Sequence, residues 1–174
     1  RRSPMEKIDR LTLSSAPALA LSADSTQLAW SGCDGSGCRL YIRPLDRLEP
    51  SALAGTDDGH APFFSPDGRW IAFFADGRLK KVAVAGGAPV TLADAPAVFG
   101  GVWIDRQIVF AGSPSGGLMR VASDGGEPRT ITTPREANGE VRHAWPALVP
   151  NERALLFTID TMAATRRHPF EEPE

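Results

Sequence analysis

Two cysteines and three histidines are the first side chains to weigh for chemistry in this 174-residue chain. Cys33 and Cys38 flank Asp34-Gly35-Ser36-Gly37, a stretch suited to a hairpin loop, which would set the two sulfurs opposite each other across a strand pair. A disulfide is sterically reasonable there and would suit an oxidising compartment, while two free thiols are the plain alternative. No second cysteine pair exists to complete a four-ligand zinc site. His60 and His143 each open an apolar run, HAPFF and HAWPA, so both are expected at equivalent places near one rim of the fold. Asp57 and Asp58 lie close to His60, and a ligand or metal role is one reading. The plainer one gives each imidazole a hydrogen bond to a neighbouring turn, and no metal and no cofactor is expected.

Motifs for enzyme chemistry are missing. Gly112-Ser113-Pro114-Ser115-Gly116 has proline where a nucleophile elbow needs serine. There is no phosphate-binding loop of the G-x-x-x-x-G-K-[ST] type, no H-E-x-x-H, and none of the kinase elements H-R-D or D-F-G. Asp24, Asp67 and Asp105 recur at turn-like stretches, which reads as backbone capping. Of the four tryptophans, Trp30 and Trp70 fall in strand candidates and are expected in the core. Trp103 and Trp145 precede theirs and, with His60 and His143, are the candidate rim or channel positions.

The elements that must position these residues are visible in Phe63–Phe74, FFSPDGRWIAFF. Pro66 presets φ for a turn, Asp67 can bond back to the backbone, and Gly68 tolerates the exit geometry. Beyond it Trp70, Ala72 and Phe74 alternate with Ile71 and Phe73, so the strand is apolar on both faces and needs neighbours on both. The pattern recurs: Leu28-Ala29-Trp30, Ile71-Ala72-Phe73, Ile108-Val109-Phe110 and Leu155-Leu156-Phe157 follow one another at steps of 43, 37 and 47 residues. Gly86-Gly87-Ala88-Pro89 is matched by Gly125-Gly126-Glu127-Pro128, and Gly77–Val84 by Gly117–Ala122. Within one period four strands are expected, near 60–64, 69–74, 78–84 and 89–92, separated by Pro-Asp-Gly, Asp-Gly and Gly-Gly turns. Four antiparallel strands in about 40 residues make one β-propeller blade.

These residues resemble a known family. FSPDGRWIAF, followed by DGRLKKVAVAGGAPVTL and later GGEPRTITT, is similar to the WD40-like, TolB-type propeller repeats called PD40 repeats. The similarity is greatest to the propeller region that follows the kinase domain in bacterial eukaryotic-type serine/threonine kinases. It covers roughly 19–160 and is specific in 59–92. Trp103-Ile104-Asp105-Arg106 and Pro150-Asn151-Glu152 depart from the Pro-Asp-Gly turn. The resemblance implies a non-catalytic binding or scaffold region of a larger receptor-like kinase, in an extracytoplasmic or periplasmic setting. The alternatives are a TolB-like envelope interaction module and the accessory propeller of a prolyl-oligopeptidase-like hydrolase.

The expected fold is therefore all-β, a partial propeller of about three and a half blades. Repeats lie near 19–56, 60–96, 99–134 and 143–160, between a leader 1–18 and a flexible tail 161–174 that contains His168. In the leader, KIDRLTL at Lys7–Leu13 is a candidate strand for the incomplete fourth blade. A closed ring takes typically 4 to 8 blades, so a homo-oligomer that closes it is expected, or else a longer parent chain. With 19 basic and 21 acidic residues and no basic stripe, nucleic acid is not an expected partner. No apolar run reaches the length of a membrane span. The protein or small-molecule ligand is not legible.

Overall fold

The computed structural model describes residues 19–35, 37–149 and 154–162. The leader with its KIDRLTL strand, the turn at Pro150–Glu152, and the tail beyond 162 with His168 lie outside the described residues. Among the described residues the chain is all-β, with one short 3-10 turn at Glu136–Asn138. No helix there is long and apolar enough to cross a membrane.

The strands fall into four sheets in chain order. Blade 1 holds β1 (Leu19–Leu21), β2 (Gln27–Asp34), β3 (Gly37–Pro44) and β4 (Ser51–Ala52). Blade 2 holds β5 (His60–Phe64), β6 (Trp70–Ala75), β7 (Arg78–Ala83) and β8 (Val90–Asp94). Blade 3 holds β9 (Gly101–Ile104), β10 (Gln107–Phe110), β11 (Met119–Ala122) and β12 (Arg129–Thr130). Blade 4 has two described strands, β13 (Glu140–Leu148) and β14 (Leu155–Thr161). Every named strand pair is antiparallel. The architecture is a partial β-propeller of about three and a half blades.

The turn chemistry explains the strand boundaries. Ser65 Oγ donates to Asp67 Oδ1 at 2.6 Å and accepts the Trp70 N–H at 2.9 Å, while Asp67 Oδ1 accepts the Arg69 N–H at 3.1 Å. Blade 1 builds the same knot from different residues. Ser22 Oγ donates to Asp24 at 2.6 Å and accepts the Gln27 N–H at 2.9 Å, with Ser25 at φ 58° in the place of Gly68 at 68°. Each aspartate is held below the usual carboxylate range, first by its serine hydroxyl and then by the backbone N–H it caps. Asp76 and Gly77 both have positive φ, the geometry of a tight hairpin turn. Blade 3 dispenses with the serine knot. Its two-residue turn at Asp105-Arg106 has Asp105 at φ 51°, and the Trp103 indole N–H donates to the Asp105 carbonyl at 3.1 Å.

The recurring triplets set the packing. Flanking residues of each triplet face the preceding blade and the middle residue faces the following one. Ile71 and Phe73 pack with Ala29, Leu40 and Ile42 of blade 1. Ala72 and Phe74 pack with Ile108 and Phe110 of blade 3. Val109 meets Leu155 and Phe157 of blade 4. The two-sided apolar strand is thus the unit that joins blades, and burying its large side chains contributes about 1.5–3 kcal/mol each. Two expectations need correcting. Trp30 is half-buried and stacked on Tyr41, rings 5.8 Å apart, on the outward face of blade 1 rather than in a core cluster. Thr161, assigned to the tail, ends β14, because it pairs with Glu140 across the last strand pair.

Candidate functional site

The first strands of all four blades, β1, β5, β9 and β13, surround a cavity of about 570 Å³ at the position of a propeller's central channel. Its wall includes Leu19, Leu21, Phe63, Trp103, Trp145 and Pro146. The lining is mostly apolar and aromatic, with Ser65 and Asp105 among its residues. Such a wall recognises apolar surface through burial rather than through charge.

The local structure that shapes this wall is a repeated β-bulge. In blade 2 the pairing slips between His60 and Phe63, and in blade 4 between Ala144 and Ala147. At the same step blade 3 pairs Phe99 with Ala111 across Gly100. The bulged residues Ala61, Gly100 and Trp145 all have positive φ, at 47°, 85° and 53°. A bulge re-aims the side chain it carries. Trp145 is the large one: its ring lies on Gly100, where an added Cβ would come within 2.7 Å of Cε3, and meets Phe99 edge-on at 6.5 Å. Its N–H donates to the Phe99 carbonyl at 2.7 Å, tying blade 4 to blade 3. A positive φ is uncommon for a bulky residue, and nothing in the residue pattern announces the bulge in advance.

The bulges also correct the expected equivalence of the two histidines. His60 pairs with Phe74 and Ala144 with Thr158, which makes Ala144 the counterpart of His60 and leaves His143 one residue out of step. A shift of one residue in a strand turns the side chain to the other face. Neither histidine borders the channel cavity, whereas Trp103 and Trp145 both do. Nor does His143 open its strand, since β13 begins at Glu140.

His143 is instead buried between blades 3 and 4. Its Nδ1 lies 2.8 Å from Thr132 Oγ1, its Nε2 lies 3.5 Å from Glu140 Oε2, and its ring packs on Phe157 at 4.7 Å. Carboxylate, imidazole and hydroxyl have the composition of a nucleophilic triad, but the hydroxyl is committed. Thr132 Oγ1 accepts the Leu118 N–H at 2.8 Å, just as Thr56 Oγ1 in blade 1 accepts the Leu40 N–H at 3.0 Å. Thr56 Oγ1 also donates to the Leu53 carbonyl, and in blade 3 the imidazole Nδ1 stands in the place of that second partner. The chain of bonds is an interblade clamp. Glu140 is held below the usual range chiefly because it accepts the Arg135 N–H at 2.7 Å.

Beside the channel, a smaller cleft of about 300 Å³ between blades 2 and 3 is lined by Asp67, Trp70, Lys81, Asp105 and Asp124. Lys81 lies over the Trp70 ring at 4.7 Å and 3.7 Å from Asp124, so its charge is already engaged. Cys33 and Cys38 are directly paired in register on β2 and β3 and are joined by a disulfide. The bridge crosses the hairpin near its tip, away from the channel cavity.

Comparison with family models and with curated proteins finds no match. Solved structures do resemble the chain. A TolB-type protein from Agrobacterium tumefaciens superposes with a TM-score of 0.51 at 19% identity, covering 68% of this chain and 50% of that one. TolB from Acinetobacter baumannii gives 0.51 at 16% identity, covering 71% and 36%. A chain of a nidogen/laminin complex gives 0.51 at 18% identity, covering 66% and 47%. This chain thus spans half or less of the length of each, and what it shares with them at such identities is the β-propeller fold.

Proposed function

We propose that this chain is a non-catalytic binding module, in which residues 19–160 form the propeller segment and the channel receives a protein or small-molecule ligand through apolar contacts. The observation that carries the reading is the cavity of about 570 Å³ walled by one strand from every blade, with Trp103 and Trp145 upon it. The hydroxyl, imidazole and carboxylate that could suggest catalysis are occupied in joining two blades. The finer reading is the sensor or interaction region of a larger receptor-like serine/threonine kinase, supported by the FSPDGRWIAF-type repeats and tested by the coding sequence upstream. An extracytoplasmic setting is supported by the Cys33–Cys38 bridge.

An apolar fluorescent probe tests the channel. Titration with 8-anilinonaphthalene-1-sulfonate is expected to give one saturable site whose emission is sensitised by tryptophan. Trp145→Ala is expected to weaken that binding about tenfold, roughly the 1.4 kcal/mol of one lost aromatic contact. Saturation that is indifferent to Trp145→Ala removes the channel as the binding site.

A further inference from the structure

The channel cavity and the smaller cleft beside it share part of their walls: Ser65, Pro66, Trp103 and Asp105 line both. Among the described residues Asp105 is the one charged residue that lines the channel cavity. In the cleft Asp67 and Asp124 join it, against a single cation, Lys81. That cation is already engaged, by the Trp70 ring at 4.7 Å and by Asp124 at 3.7 Å. Arg69 and Arg106, close in sequence to these aspartates, line neither space. Asp105 also differs from its counterparts in blades 1 and 2 in what its carboxylate does. Asp24 and Asp67 commit theirs to a serine hydroxyl and a backbone N–H. In blade 3 the Trp103 indole bonds to the backbone carbonyl of Asp105, and the carboxylate has no hydrogen-bond or ion-pair partner among the described residues. The turn itself asks only for a side chain that tolerates φ 51°, as aspartate and asparagine both do.

We propose that the ligand of the channel is a small organic ammonium, with its apolar body against Trp103 and Trp145 and its charge at Asp105. The proposal rests on the binding-module reading and names the chemical class of the ligand. An uncommitted carboxylate beside an apolar, aromatic wall receives such a molecule in two ways, the body through burial and the ammonium through a charge-assisted hydrogen bond. Lys81 makes the same kind of contact inside the molecule, its ammonium against an indole ring and an aspartate. Charge complementarity sets the sign, because an anion of the same shape would meet Asp105 with no uncommitted cation on either lining to answer it. Volume sets the size: about 570 Å³ falls within the roughly 300–1,000 Å³ of small-molecule sites.

Displacement of 8-anilinonaphthalene-1-sulfonate from the full chain at neutral pH tests the charge preference. The competitors are 4-phenylbutylamine, 4-phenylbutan-1-ol and 4-phenylbutyrate, which share one apolar body and differ in charge. The amine is expected to displace the probe at a concentration about tenfold below the alcohol, the scale of one charge-assisted hydrogen bond at an exposed carboxylate. The butyrate is expected to be the weakest, and sodium chloride at about 0.5 M to narrow the gap between amine and alcohol. Asp105→Asn keeps the side chain's shape and its tolerance of positive φ. It is expected to bring amine and alcohol level and to tighten the probe, whose sulfonate no longer meets a carboxylate. Asp57→Asn changes the net charge equally, lines neither cavity, and is expected to leave the gap as it was. Equal displacement by amine and alcohol on the wild-type chain overturns the proposal, as does an amine advantage that survives Asp105→Asn. Displacement by an end-blocked lysine peptide where the amine has no effect also overturns it and gives the channel to a polypeptide. Absence of any saturable probe site fails the binding-module reading and this inference with it, whereas a bound probe with no amine preference fails this inference alone.

Discussion

Trp145 offers a direct test of the bulge. At φ 53° a residue with a Cβ sits in the left-handed region, at a cost of about 1–2 kcal/mol that glycine does not bear. Within a regular strand the order is opposite: glycine is less stable than alanine by about 0.5–1 kcal/mol. The pair Trp145→Gly and Trp145→Ala isolates this term, since both remove the ring from Gly100 and Phe99. Loss of a half-buried indole costs both variants about 2 kcal/mol relative to wild type, below the range for a fully buried aromatic. The glycine variant should then be the more stable of the two by about 1 kcal/mol, and should melt about 3 °C higher for a chain of this size. Thermal and urea unfolding of the two proteins side by side measure the difference. Ala122→Gly, at an exposed position in β11, is the control and should lose about 0.5–1 kcal/mol. Equal stability of the Trp145 pair, or an advantage for alanine, would refute the account of a strained bulge.

Three further outcomes follow from the turns, the bridge and the close approaches. Ser65→Ala removes the bonds to Asp67 and the Trp70 N–H and should cost about 2 kcal/mol in urea unfolding. Asp24 and Asp67 have lowered folded-state pKa values, so their contribution is present above about pH 4, the unfolded aspartate range, and is lost as pH falls below it; Ser65→Ala should flatten that acid limb. Replacing Cys33 and Cys38 together by alanine releases a loop of sequence separation 5 and should cost about 2 kcal/mol, with intact-mass measurement before and after reduction confirming the bridge. Gly117→Ala should prevent cooperative unfolding or cost more than about 3 kcal/mol, because the added Cβ would lie 1.5 Å from the Thr132 carbonyl oxygen.

Much of the fold was legible because its signals are local. Pro66-Asp67-Gly68 and Asp76-Gly77 fix turns through φ preferences that act over four residues. The alternation in Trp70–Phe74 declares two buried faces before any neighbour is known, and Ile71 and Ala72 do face different blades. Trp103 and Trp145 precede their triplets in the sequence, and both border the cavity. What escaped was register. HAPFF and HAWPA look equivalent as text, yet the bulge falls after Ala144 in one and after His60 in the other. Trp30 looked like core for a related reason. Its strand is apolar enough to be buried on both sides, but its outward side depends on whatever covers blade 1. The clamp of Thr132, His143 and Glu140 joins residues from a loop and a strand edge, and no periodicity marks such a meeting.

Among the described residues the main contacts of each blade are with its neighbours in the series, and this has a consequence for how disturbances spread. Stability in such an arrangement is close to a sum of blade terms and junction terms, as in a one-dimensional array. A ligand that tightens the junction of blades 2 and 3 would therefore be felt at blade 1 and blade 4 only through the blade between, weakening at each step. The inner bulges belong to these junctions: the Trp145 N–H donates to the Phe99 carbonyl where blade 4 meets blade 3, so a change at the cavity wall there acts on that junction directly.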